Sequence, residues 1–344
     1  MDFKPLDFSR VVTSSVAQRG HRVSTALFAR PVVPAADGPD VLDSLPDVLG
    51  ARALRRLAER IVDARSAGRV VLVGFGGHVI KTGLAPLLID LMERGFIDAL
   101  ATNGSGAIHD YELAAVGHSS EDVGPGLENG SWGMVRETAA ALNEAAHRAV
   151  REDCGLGSAL GRTILEQGLP HAPVSVLASA ARLRLPLTVH VALGTDTVHM
   201  HGNADGAAIG QASMADFRLL AAVVARLSGG VYVNLGSAVV MPEVFVKALN
   251  VARNLGESVE GFATANMDML RHYRPRVNVL ERPGGEALEI TGHHELNLPL
   301  LRWAVLRLAA QREAAAGAAG PSAGAAGPSA AGPGTGGAAA RGAR

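Results

Sequence analysis

The stretch Val70-Val71-Leu72-Val73-Gly74-Phe75-Gly76-Gly77-His78-Val79-Ile80-Lys81-Thr82-Gly83 decides the fold. Its opening run is apolar and β-branched, the pattern of a strand buried on both faces of a parallel sheet. The glycines after it let backbone approach a ligand closely, and a helix start beyond them favours an anion. Their spacing is neither GxGxxG nor a Walker A loop, so an ordinary tight strand-to-helix turn is equally consistent with it. Lys81 either faces an anion or sits in solvent.

Apolar periodicity extends this unit in both directions. Residues 51–67 place Leu54, Leu57, Ile61 and Val62 on one helical face. Downstream, a helix is expected over 80–94 and a strand over 97–101, ending in the polar turn Thr102-Asn103-Gly104-Ser105-Gly106. Further helices are expected over 131–151, 174–183, 214–227, 242–255 and 298–312. Strands are expected over 187–193, 231–235 and 261–265. The alternation predicts an α/β fold with a mainly parallel sheet, whose ligands gather at the carboxyl ends of the strands. Trp132 and Trp303 fall in helical patterns and are expected in the core.

From about Ala314 the chain becomes Ala-Gly-Pro-Ser repetition with almost no large side chain to bury. The expected organisation is an N-terminal extension over 1–50, one α/β domain over 51–312, and a disordered tail over 313–344.

Composition narrows the function classes. The 344 residues carry 32 basic and 33 acidic side chains, a formal net charge of −1, which argues against a general nucleic-acid binder. No long single-sign run or uninterrupted apolar block suggests a membrane anchor or span. The first residues lack the pattern of a secretory signal, so a cytoplasmic protein is expected. A single cysteine, Cys154, excludes an internal disulfide framework. The three lysines, Lys4, Lys81 and Lys247, are the entire supply for an amine nucleophile.

Chemistry-bearing residues collect at the expected strand ends. His109-Asp110 follows the glycine turn at 104–106, where His109 is placed to act as acid or base, or merely to cap a helix. His199 and His201 would share one face of an extended segment and so could hold a metal, yet no spacing identifies a third ligand. No metal is therefore assigned. His293-His294-Glu295 is not HExxH. Asn234-Leu235-Gly236-Ser237 makes another strand-to-helix turn suited to a sugar or phosphate. Asp268 lies at the polar end of the strand expected over 261–265, and Arg271, Arg274 and Arg276 form a basic cluster that is either solvated or anion-binding.

At these turns the sequence resembles the deoxyhypusine synthase family. Val73-Gly74-Phe75, Gly83, residues 98–106 and Asp110 carry the resemblance best. Ala192-Leu193 with Thr195-Asp196, Leu235-Gly236 with Val239-Val240, and Thr264-Ala265 follow more loosely in the same order. The resemblance implies a Rossmann-like fold, NAD held between paired subunits, and a homotetramer built as a dimer of dimers. It implies NAD contacts at His78, Lys81, Asn103, Gly104, Ser105, Asp196, Gly236, Ser237, Thr264 and Ala265, to which the glycine turn adds Gly76 and Gly77.

The family's catalytic lysine, which follows a Ser-Trp-Gly motif, has no counterpart here. Residues 271–283 contain neither lysine nor tryptophan, and Met241-Pro242 stands where the family has Lys-His. The expectation is thus an NAD-binding oxidoreductase or transferase that acts on a small anionic metabolite without a lysine imine. His109, Asp110, His199 and His201 are its candidate catalytic residues; Asp268, Arg271, Arg274 and Arg276 are its candidate substrate contacts. A catalytically inactive nucleotide-binding regulator and a metal-dependent hydrolase using His199 and His201 are the alternatives.

Overall fold

A computed structural model describes residues 41–318. Most of the expected extension and tail therefore lies outside the described residues. After a short turn of helix, α1 (Val41–Ser44), the chain forms α2 (Leu49–Ser66), β1 (Val71–Phe75), α3 (Gly77–Lys81), α4 (Ala85–Glu93) and β2 (Ala99–Asn103). A helical excursion follows: α5 (Gly104–Val116), α6 (Val123–Asn129), α7 (Arg136–Arg151), α8 (Leu156–Glu166) and α9 (Val176–Leu183). The chain then returns to the sheet through β3 (Leu187–His190), α10 (Gly206–Ala225), β4 (Val231–Leu235), α11 (Val240–Asn254), β5 (Ala263–Asp268), α12 (Tyr273–Pro275), β6 (Glu286–Thr291) and α13 (His294–Ala318).

All six strands are parallel, in the order β3-β2-β1-β4-β5-β6. This is the doubly wound Rossmann order, in which the direction of winding reverses between β1 and β4. The expected α/β, mainly parallel, Rossmann-like sheet flanked by helices is the observed fold.

Both faces of the sheet are covered, which is why β1 reads as a continuous apolar run. Val71, Val73 and Phe75 enter a core shared with α2, α4, α5, α9 and α13. Leu72 points the other way, with Tyr232, into a second core under α10 and α11. Each side chain of this kind stabilises the fold by about 1.5–3 kcal/mol relative to exposure. α2 buries Leu54, Leu57, Ala58, Ile61 and Val62 at helical spacing. Asp216 of α10 is a buried carboxylate that accepts Gly157 N at 3.0 Å and Val189 N at 2.9 Å, tying α8 to β3. Burial pushes its pKa up to about 7 against those bonds.

Several boundaries differ from the sequence expectation. The helix expected over 80–94 is two helices, α3 and α4, separated by Gly83 at φ +77°. The helix expected from 131 begins at Arg136, because Gly133 at φ +74° forms a turn that holds Trp132 half-buried. Trp303 on α13 is 53% exposed rather than in the core. α13 runs on to Ala318 instead of ending at 312. α10 is long and apolar enough by composition to cross a membrane. It packs on β3, α7 and α11 as a layer of the sheet.

Candidate active site

The carboxyl ends of the strands interlock. A Cβ at Gly76 would run into the Gly236 carbonyl, one at Gly77 into Ser105 Oγ, and one at Gly104 into the Asp196 carboxylate. Gly236, at φ +61°, turns the chain after β4, and a Cβ there would lie 2.8 Å from His294 Nε2. The structure thus brings Gly76, Gly77, Gly104, Ser105, Asp196 and Gly236 together, and the absence of side chains at the glycines already serves this packing. Asn103 caps α5 by accepting Gly106 N at 2.9 Å, and buried Ser237 accepts Met241 N at 3.2 Å at the start of α11. His78 is exposed and meets His294 edge-on, with ring centroids 5.7 Å apart. Burial and the nearby His78 lower the pKa of His294, with Asp268 opposing. Asn234 Oδ1 and His294 Nδ1 are buried at this junction with no hydrogen-bond partner among the described residues.

Thr264 and Ala265 do not belong to this rim. Both are fully buried in β5, which continues to Asp268 instead of stopping at 265. The carboxyl end of that strand is therefore Asp268, whose Oδ1 accepts Met269 N at 2.7 Å.

A cavity of about 570 Å³ opens beside the ends of β1 and β2. Its walls are the outer face of α5, the loop after it, the Trp132 turn, the start of α7, and Thr195–Thr197, with Lys81, Ser105 and Asp196 at one side. His109 and Glu112, one helical turn apart on α5, both line it. His109 Nδ1 lies 2.6 Å from Ser119 Oγ, and Ser119 donates to Glu112 Oε2, also at 2.6 Å. Thr138 of α7 donates to Glu112 Oε1 at 3.1 Å. Burial acts to raise the Glu112 pKa, but the neighbouring His109 and hydrogen bonds from Ser119 and Thr138 outweigh it and hold the carboxyl below its usual range.

The other predicted catalytic residues have different work. Asp110, next to His109 but on the inner face of α5, is fully buried. Its carboxylate accepts Ser175 Oγ at 2.5 Å, Val176 N at 2.7 Å and Leu177 N at 3.1 Å, closing the amino end of α9. Burial raises its pKa to about 6 despite those bonds. It is a clamp between helices, out of reach of a substrate.

His199 and His201 do not share a face, because Thr197–Met200 is a 3₁₀ turn and not an extended segment. His199 Nδ1 accepts Gly194 N and Asp196 N, both at 3.2 Å, while the Asp196 side chain accepts the His199 backbone N–H in return. His201 Nε2 donates to the Gly133 carbonyl at 2.9 Å, pinning the Trp132 turn. Both imidazoles hold loops. Among the described residues no group of three or more His, Cys, Asp or Glu side chains is arranged to hold a metal ion.

The basic cluster is already neutralised. Arg271 pairs with Glu289 (Nε to Oε1, 2.8 Å), Arg274 with Glu243 at 3.1 Å, and Arg276 with Glu281. None of the three lines the His109 cavity. The carboxylates Glu112, Glu121, Glu137 and Asp196 do line it, so its charge is opposite to that expected for an anionic substrate.

Sequence reasoning overlooks Glu112, Ser119 and Thr138, and places in the core a tryptophan, Trp132, that lines the cavity. Glu112 carried a signal, three residues after His109 and so on the same face of any helix there. Thr138 lies 26 residues further on and left none.

No family model matches the chain. Its sequence is 36% identical to an ornithine cyclodeaminase from Methanothermobacter thermautotrophicus over 67 residues, 19% of this chain and only 16% of that protein. The fold is similar to a LOR/SDH protein from Methanococcus maripaludis S2, with a TM-score of 0.50 and 16% identity, covering 81% of this chain and 76% of that one. It is also similar to AgrE, solved as a ternary complex with ornithine and NAD+, with a TM-score of 0.53 and 16% identity. That match covers 76% of this chain and 33% of AgrE. A chain described as a deoxyhypusine synthase from Entamoeba histolytica reaches a TM-score of only 0.46 at 12% identity. The comparisons define a Rossmann-like class and do not single out the family that the motifs resemble.

Proposed function

We propose that the protein is an NAD-dependent enzyme acting on a small, amine-bearing metabolite, with His109 as its acid–base residue. The observation that carries this reading is the cavity itself. It sets a histidine–serine–glutamate relay beside the ends of β1 and β2 in a sheet of dinucleotide-binding order.

The residues at the strand ends fit a dinucleotide on two counts. Asn234 Oδ1 and His294 Nδ1 are buried polar atoms in want of partners near the β1–β4 junction. Dinucleotide folds also place a carboxylate near the end of the second strand to hold ribose hydroxyls. Here β2 ends in Asn103, and Asp196 reaches across to Gly104 from the loop after β3. His78, Lys81, Asn103, Gly104, Ser105, Asp196 and Gly236 would hold the cofactor, which supplies a hydride acceptor when bound. The AgrE complex, which contains NAD+ and ornithine, supports the same pairing of cofactor and substrate class.

Glu121 and Glu137 favour an ammonium in the cavity, and Trp132 supplies an aromatic wall beside it. Substrate oxidation next to an amine or hydroxyl releases a proton, and His109, which lines the cavity and is held by Ser119, is placed to take it.

Calorimetric titration of the full chain with NAD+ and NADH, after checking for cofactor carried through purification, tests the proposal. Saturable binding or retained NAD, followed by turnover of basic amino acids such as ornithine, is expected. No retained cofactor and no binding of either redox form overturns it.

A further inference from the structure

We infer that Ser119 is a positioning residue that locks His109 in its Nδ1–H tautomer and so leaves Nε2 as the proton acceptor. The inference rests on the proposed role of His109 but is argued from the hydrogen bonds alone. A serine hydroxyl has one proton to give, and an ionised carboxylate can only accept. Ser119 stands 2.6 Å from both Glu112 Oε2 and His109 Nδ1. Its proton goes to Glu112, so its oxygen faces Nδ1 as an acceptor, and a bare lone pair on Nδ1 at that distance would be repelled. Nδ1 therefore carries the hydrogen. Histidine in water prefers the opposite tautomer, Nε2–H, so the relay reverses the intrinsic preference.

The surroundings hold Ser119 in this position. Gly117, at φ +71°, ends α5 and turns the chain back over the helix. Ser120 adopts φ +71° although it is not glycine, a strained conformation that persists only where neighbours enforce it. The next residue, Glu121, anchors the loop by accepting Gly133 N at 2.7 Å. Thr138 occupies the other Glu112 oxygen, leaving Oε2 for the serine.

When Nε2 takes a proton from the substrate, Nδ1 keeps its own. No proton passes along the relay: the imidazolium and the Glu112 carboxylate are bridged by a neutral hydroxyl, with Nδ1 and Oε2 3.9 Å apart. Ser119 thus fixes which nitrogen reacts, and Glu112 stabilises the charge that forms.

The test is a two-bond proton–nitrogen correlation spectrum of the full chain labelled with ¹⁵N-histidine, at mildly alkaline pH. The His109 signals are assigned by their loss in His109→Gln. A protonated-type shift at Nδ1 and an unprotonated-type shift at Nε2 are expected. Ser119→Ala should move His109 toward the Nε2–H form, and Ser119→Thr should restore the Nδ1–H form, with the other histidine signals unmoved. A wild-type Nε2–H tautomer overturns the inference, as does a tautomer unchanged in Ser119→Ala. The wild-type spectrum, assigned with His109→Gln, decides if the Ser119 variants fail to fold. Full turnover in His109→Gln would remove the base and leave the tautomer result standing, so the two readings fail separately.

Discussion

At the scale of single residues, two neighbours on α5 show how burial divides labour. His109 faces a cavity and Asp110 faces the core, and each is explained by its hydrogen-bond partners. His109→Gln is expected to lower kcat by about 10²–10⁴-fold while leaving NAD affinity in place, read by steady-state kinetics beside calorimetry. Asp110→Ala strands the Ser175 hydroxyl and two backbone N–H groups, and should cost about 1–3 kcal/mol in urea unfolding with little direct effect on chemistry. His190 gives a pH prediction. Burial lowers its pKa from 6.5 to about 4. An imidazole with a depressed folded pKa is protonated first in the unfolded chain, so its contribution to stability is lost as pH falls from 6.5 toward 4. Between neutral pH and pH ~5, wild type should lose about 2 kcal/mol that His190→Gln does not. Equal acid slopes in the two proteins would refute that assignment.

At the scale of elements, α5 and the loop after β3 meet at a tight joint. Gly104 opens α5, and a methyl there meets the Asp196 carboxylate. Gly104→Ala should therefore destabilise by about 1–3 kcal/mol in the wild-type background. With Asp196→Ala the obstruction is gone, and the same change should be neutral or stabilising by up to about 1 kcal/mol, as alanine is in a helix. A penalty that persists in the double variant would show that the joint lies elsewhere. Legibility in the sequence followed the same physics. β1 was readable because Val70 to Val73 is apolar on both faces. β6, Glu-Ala-Leu-Glu-Ile-Thr, is an edge strand with polar residues mixed in, and was missed. α5 was obscured by its Gly-Ser-Gly start, which reads as a loop until Asn103 is seen to cap it. The arginine cluster misled because Glu243 and Glu289, which neutralise Arg274 and Arg271, come from other elements.

For the whole molecule, the sheet order fixes where function concentrates. Winding reverses between β1 and β4, and glycine turns, Asp196 and His294 converge on that end of the sheet. A dinucleotide bound there should stabilise the entire fold. At a hundredfold excess over Kd the gain is about 2.7 kcal/mol, a rise of several degrees in Tm by thermal scanning. His109→Gln should show the same rise, since His109 lines the neighbouring cavity. A wild-type Tm that does not move with either NAD+ or NADH would remove the cofactor.

The excursion between β2 and β3 supplies nearly every wall of the His109 cavity, Ser105 included, while Lys81 of α3 and Thr195–Thr197 after β3 close one side. On the proposed reading, substrate selectivity and most of the cofactor contacts are thereby carried by separate stretches of chain. Insertions, deletions or wholesale exchange between residues 117 and 186 can retune what enters the cavity, while α5, the six strands and the turns that follow them pass unchanged from one variant to the next.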